Sequence, residues 1–220
     1  NQSTGTLYCN VGLCHNVMGD NEKALHYYHL GIKELRKVGD RNRESLYLGN
    51  IANIYAMQKR YSEAATLYEE GVALAVETGV QANECISRGN YGSLLVDMKN
   101  WERAAEELTK SIALGIEIYP IAANVFQGIL ANLRSLQGKN ELALSLLSDI
   151  NYTLVKTDVE EYTKLLCIEA TIHHRATNMD RARELFVEAT NLIDKHQFSE
   201  ATDVYLKWKE TKTLLNLPTK

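Results

Sequence analysis

Apolar residues recur along this chain at helical spacing: Leu7, Val11 and Val17 precede a short polar break, and Leu25, Tyr28, Ile32 and Leu35 follow it. Spacings near three and four residues put such side chains on one face of an α-helix, whereas a strand alternates them every second residue. No strand-like alternation is sustained, so the pattern predicts helices throughout. The breaks themselves recur as Gly19-Asp20-Asn21, Gln58-Lys59-Arg60, Met98-Lys99-Asn100, Gly138-Lys139-Asn140 and Asn178-Met179-Asp180. Each reads as a tight turn between two helices, with Asp20, Asn100 and Asn178 placed to cap the second.

Small residues mark the same rhythm. Ala24, Ala64, Ala104, Ala143 and Ala182 stand 40, 40, 39 and 39 residues apart, and four residues after them come Tyr28, Tyr68, Leu108, Leu147 and Phe186. Twelve residues before each alanine lies Gly12, Ala52, Gly92, Ala131 or Ala170. Two small positions per unit let paired helices approach closely, and the large residue fills the groove beside them. A unit of this length cannot bury its apolar face alone, so the period predicts a stacked solenoid. It favours one array over 1–220, with repeats at about 4–40, 41–80, 81–119, 120–157 and 158–197. Proline disfavours helical geometry in the residue before it, so Tyr119-Pro120 should end one helix between the third and fourth units. Residues 199–216 break the repeat and put Ala201, Val204, Tyr205, Trp208 and Leu215 on one face, as a capping helix would.

The unit resembles the tetratricopeptide repeat, whose pattern runs W-x2-L-G-x2-Y, then A-x3-F, then P. The first half stands here as Tyr8-x2-Val11-Gly12-x2-His15, as Leu48-x2-Ile51-Ala52-x2-Tyr55 and, more weakly, as Arg88-x2-Tyr91-Gly92-x2-Leu95. The second half holds in all five units. The closing proline is missing from each, which lets the second helix run on and fits a period near 40 instead of the common ~34. The resemblance implies an all-α, right-handed α-solenoid of five helix pairs with a C-terminal capping helix. It also implies that the first helix of each pair lines a concave surface.

Two residues before the small position stand Asn10, Asn50 and Asn90, and Asn53 follows Ala52. Asparagine is a mediocre helix former, and the Gly49 and Gly89 that precede two of them each cost ~1 kcal/mol relative to alanine. On one reading the glycines clear room for an extended peptide backbone, to which asparagine amides offer a donor and an acceptor. On the other, the glycines permit close helix packing and the asparagines bond neighbouring groups across repeats. The string Gly49-Asn50-Ile51-Ala52-Asn53 resembles the variant in kinesin light chains, spindle-orientation adaptors and bacterial peptide-pheromone sensors, where related asparagines hold peptides. That resemblance implies a peptide groove at Asn10, Asn50, Asn53, Asn90, Gly49 and Gly89, with Met57 and Val96 among its apolar lining. Chaperone-binding relatives grip a carboxylate with lysines, but Cys9 stands where one such lysine would be. An apolar helix or extended segment is the better expected ligand.

Charge and composition narrow the field. The net charge is −4, with no dense Lys/Arg run, so nucleic acid is not an expected partner. No apolar stretch approaches the ~18 residues that span a bilayer. Four scattered cysteines, Cys9, Cys14, Cys85 and Cys167, suggest a reducing cytoplasm and not a disulfide framework. The missing initiator Met suggests a processed chain or a piece of a larger protein.

Nothing points to catalysis. The phosphate-loop, dinucleotide, nucleophile-elbow and zincin strings are absent. His173 and His174 are adjacent and diverge on a helix, and the Cys9, Cys14 and His15 spacing fits no zinc template. Glu69-Glu70 and Glu106-Glu107 read as solvated faces. No catalytic residue, metal or cofactor is therefore expected. The sequence predicts a non-enzymatic scaffold or sensor that binds a protein or peptide segment. The alternative is a regulatory segment of a larger enzyme or transcription regulator, contacting a neighbouring domain or a second copy of itself.

Overall fold

The computed structural model describes residues 4–216. The chain divides into two compact units, Asn1–Ile118 and Tyr119–Lys220. The division falls at Tyr119-Pro120, the irregular junction between the third and fourth repeats. All the regular structure among the described residues is helical, in pairs of the tetratricopeptide-like solenoid type.

The first unit holds three helix pairs: α1 (Thr4–Val17) with α2 (Asn21–Val38), α3 (Arg41–Met57) with α4 (Tyr61–Thr78), and α5 (Gln81–Asp97) with α6 (Trp101–Ile118). The small columns do what their spacing predicts. Ala24, Ala64 and Ala104 are fully buried, as is Ala52, and a Cβ built on Gly12 would lie 2.9 Å from the Tyr28 ring. At Gly31 a Cβ would stand 2.1 Å from Cys9 Sγ and 2.8 Å from the Gly5 carbonyl oxygen, so glycine is what lets α1 and α2 touch. Tyr28, Ile32 and Leu35 of α2 then meet Tyr47, Leu48 and Ile51 of α3 in one core cluster.

Helix ends follow local chemistry. Asp20 accepts a hydrogen bond from the Lys23 backbone N–H and Asp40 from that of Arg43, each satisfying an amide with no partner inside its helix. At Asn100 the backbone carbonyl accepts from Ala104 N–H. The turn inside each pair puts one residue in left-handed geometry, Gly19, Lys59 and Lys99 in register. A half-buried ion pair ties the first two repeats together. Glu44 on α3 has no exposed side-chain surface and accepts from Arg36 Nε at 2.5 Å, while Arg36 also reaches Glu70 on α4 at 2.6 Å.

The second unit comprises α7 (Pro120–Leu136), α8 (Asn140–Ser148), α9 (Tyr152–Val155), α10 (Val159–Arg175), α11 (Met179–His196) and α12 (Asp203–Leu214). Its first pair departs from the repeat. α8 stops after 9 residues, because the Asn151 side chain caps a new turn by accepting from Leu154 N–H, and Asn124 on α7 accepts from Asn151 N–H at 2.7 Å. Ala143, Ala170 and Ala182 are fully buried all the same. The final helix closes the unit much as expected. Val204 and Leu215 are buried, and Trp208 stacks on Phe186 at 5.9 Å while its indole N–H donates to Thr190 Oγ1 at 2.9 Å. Ala201, however, precedes α12 and is exposed.

Candidate functional site

Four residues of α3, Leu46, Asn50, Asn53 and Met57, follow one another at steps of four, three and four and therefore share one face of the helix. None of the four is buried. Adding or subtracting the 40-residue period gives Thr6, Asn10, Leu13 and Val17 on α1, and Ile86, Asn90, Ser93 and Asp97 on α5. Three successive first helices thus repeat one stripe. All but Thr6 keep exposed surface, and the stripes carry no lysine or arginine.

The asparagines on this face are held from behind by tyrosines. Tyr47 on α3 donates its hydroxyl to Asn10 Oδ1 on α1 at 3.0 Å, and the Tyr68 hydroxyl on α4 donates to Asn53 Oδ1. The Tyr28 hydroxyl is buried without a well-formed hydrogen bond, beside the Asn16 and Asn50 side chains. Burial pushes it up to about 12, against a smaller downward pull from Asn50. Burial likewise raises Tyr47, so both hydroxyls stay protonated donors across the physiological range. At Asn10 and Asn53 the amide oxygen points to a tyrosine, which leaves the amide N–H groups of each directed elsewhere. The Asn90 side chain forms no hydrogen bond among the described residues.

Three of the expected site residues are buried. Gly49 follows Ser45 by four positions on α3; Ser45 Oγ donates to the Gly71 carbonyl of α4, while a Cβ built on Gly49 meets nothing within 4 Å. Gly89 sits between Cys85, whose thiol lies against Ser111 of α6, and Gly92, whose Cβ would meet Leu108 at 2.7 Å. Both glycines are buried. Val96 is only 6% exposed and turns into the core. One position on, Asp97 is exposed and in register with Val17 and Met57. Strict addition of 40 to Met57 finds Asp97; attention to apolar character alone leads to Val96. Tyr47 and Tyr68, whose hydroxyls orient the amides, carry no signal of that role in the sequence.

In the second unit Asn132, which follows Ala131 as Asn53 follows Ala52, has a structural use. Asn132 Oδ1 accepts from Arg175 Nη1 at 2.7 Å, joining α7 to α10. The His173 and His174 ring nitrogens Nδ1 are buried without partners. No group of three or more metal-ligating side chains comes together among the described residues. No helix there is long and apolar enough to cross a membrane.

The repeat chemistry above has a counterpart in sequence comparison, which matches residues 3–75 to the Tetratricopeptide repeat family. No curated protein matches the chain. Among solved structures, the nearly identical TPR-like repeats ascribed to a kinesin light chain of Podosopora anserina share 16% identity at a TM-score of 0.64, covering 88% of this chain and 96% of that one. The apo form of RapI gives a TM-score of 0.70 at 13% identity, over 97% and 85% of the two chains. Aspartyl phosphate phosphatase F from Bacillus subtilis gives 0.68 at 14%, over 96% of this chain and 56% of its own. At these identities the likeness is one of fold, and it extends the tetratricopeptide architecture from the matched repeats to nearly the whole chain.

Proposed function

We propose that this tetratricopeptide array is a non-catalytic scaffold or sensor module that holds a peptide or protein segment on the stripes of α1, α3 and α5. The supporting observation is the register of Asn10, Asn50 and Asn90 together with Asn53, two of whose amide oxygens are engaged by tyrosine hydroxyls. Amides fixed in this way offer N–H donors at set positions, and preorganised donors lose less freedom on binding. A donor set of this kind suits the carbonyl groups of an extended backbone. Leu13, Val17, Leu46 and Met57 flank it and supply apolar contact for the ligand's side chains. The absence of lysine and arginine from the stripes argues against a carboxylate clamp. Four free cysteines suit a reducing, cytoplasmic setting.

The test begins with selection of a binding peptide from a display library against the purified chain. Its affinity is then measured by calorimetry for Asn50→Ala, Asn90→Ala and the double variant. The double variant should bind at least tenfold more weakly with its helical circular dichroism intact. Unchanged affinity in a folded double variant rejects the proposal.

A further inference from the structure

Most arginines of this chain pair with a carboxylate, but among the described residues Arg134, Arg175 and Arg183 do not. Arg183 is exposed, and Arg134 donates to Gln137 Oε1 at 3.0 Å. Arg175 on α10 is in a different position, because it is half-buried. Burial alone pulls its guanidinium below the ordinary range, and no neighbouring charge opposes that pull. A desolvated charge without a counter-ion is costly, and an anion brought to it offsets the cost.

The guanidinium is held from one side. Its Nη1 donates to Asn132 Oδ1 on α7 at 2.7 Å, which leaves Nε and Nη2, the edge of the fork that matches the two oxygens of a carboxylate. Asn132 has used its amide oxygen in the same bond, so its N–H groups remain as donors beside Arg175. Both residues keep exposed surface. Arg175 stands five residues after Ala170 as Met57 stands five after Ala52, so it takes the stripe position that carries no cation in the first unit. No acid comes from α7, which has neither Asp nor Glu between Pro120 and Leu136. On α10, Glu169 is engaged by the Tyr152 hydroxyl at 2.8 Å and by Arg181.

We propose that Arg175 and Asn132 form a binding site in the second unit for a single carboxylate presented by a peptide segment. Arg175 Nε and Nη2 take its two oxygens in parallel, and an Asn132 N–H bonds one of them. One guanidinium balances one negative charge, which suits a carboxylate better than a phosphate group carrying about −1.5 to −2 at pH 7. An Asp or Glu side chain and a chain terminus share this chemistry. The site uses none of Asn10, Asn50, Asn53 and Asn90, so its failure leaves the peptide face of the first unit standing.

Heteronuclear NMR of the arginine Nε–H groups in the full chain tests the site. The probes are N-acetylaspartate α-amide for a side chain, N-acetylalanine for a chain terminus, and sodium phosphate, each titrated against sodium chloride at matched ionic strength. The Arg175 resonance, identified by its loss in Arg175→Lys, should move saturably with a carboxylate and not with chloride. The tighter of the two carboxylates names the source. Asn132→Ala should weaken that binding about tenfold, through loss of a bond to a charged group. Asn132→Asp supplies the carboxylate from within the chain, so it should abolish the response and raise the melting temperature by about 2–4 °C. Circular dichroism confirms that each variant folds. Saturation by phosphate and by neither carboxylate overturns the ligand class. No saturable movement, or an equal movement at Arg88, which already pairs with Glu84 and Glu107, overturns the site itself. A folded Asn132→Asp chain that still responds to the probes overturns it as well.

Discussion

Tyr47 on α3 donates its hydroxyl to Asn10 Oδ1 on α1 at 3.0 Å, so a residue at the junction of two repeats sets the direction of an amide on the binding face. Tyr47→Phe removes that donor and keeps the ring beside Tyr28. The loss should cost about 0.5–1.5 kcal/mol of stability, the usual net worth of one such bond. It should also weaken binding of a selected peptide, because the Asn10 amide is then free to turn. Urea unfolding and calorimetry on the same preparation separate the two effects.

Glycines of opposite character sit on neighbouring repeats. Gly31→Ala forces a methyl to 2.1 Å from Cys9 Sγ and 2.8 Å from the Gly5 carbonyl oxygen, so backbone must move. Overpacking of this kind costs typically 1–3 kcal/mol. A Cβ at Gly49 meets nothing within 4 Å. Gly49→Ala should therefore stabilise the chain by up to ~1 kcal/mol through helix propensity. Chemical denaturation of both variants checks the signs, and a destabilised Gly49→Ala would contradict the open space beside that position.

The turn within each pair needs one left-handed residue, and only two of the five are glycine. Thr177 occupies that place at φ 63°, joining α10 to α11. A β-branched residue is poorly suited to this geometry, which costs non-glycine residues roughly 1–2 kcal/mol. Thr177→Gly should raise the unfolding free energy by about 1 kcal/mol after glycine's own entropic cost is deducted. Lys59→Gly and Lys99→Gly should shift it in the same direction by less. Denaturant midpoints at constant slope measure all three.

Docking of the last helix should depend on pH. Glu160 at the start of α10 is pushed up to about 7, mainly by burial and then by the Asp203 carboxyl at the start of α12. Glu161 and Lys164 share the cluster, with Lys164 Nζ 2.7 Å from Glu161 and 3.1 Å from Asp203. The folded state holds the Glu160 proton more tightly than the unfolded chain, which releases it near 4.5. The associated stabilisation is complete below that value and disappears as pH rises through about 7. Asp203 is shifted the other way, so its own contribution is lost only at more acid pH, as pH falls from its ordinary value of 3.8 through the lowered one. The melting temperature should fall between about pH 5 and pH 8, and Glu160→Gln should flatten that fall. A melting temperature equally steep in the variant would assign the dependence to another group.

The helix pairs, their turns and their register were legible in the chain, because each depends on residues within one period. Ala24, Ala64 and Ala104 are buried where their spacing requires, and Asp20 caps α2 as its place before a helix predicts. Stacking settled what local pattern leaves open. Gly12 and Gly49 look alike in sequence, yet the first has a tyrosine ring against it and the second open space, since only the neighbouring helix determines what a missing side chain would meet. Val96 and Asp97 differ by one position, about 100° around the helix, which buries one and exposes the other. The break at Tyr119 was legible in Pro120, but the bond from Asn151 to Asn124 beyond the end of α8 and the tyrosines behind the asparagines arise from contacts between residues distant in sequence, which periodicity does not encode.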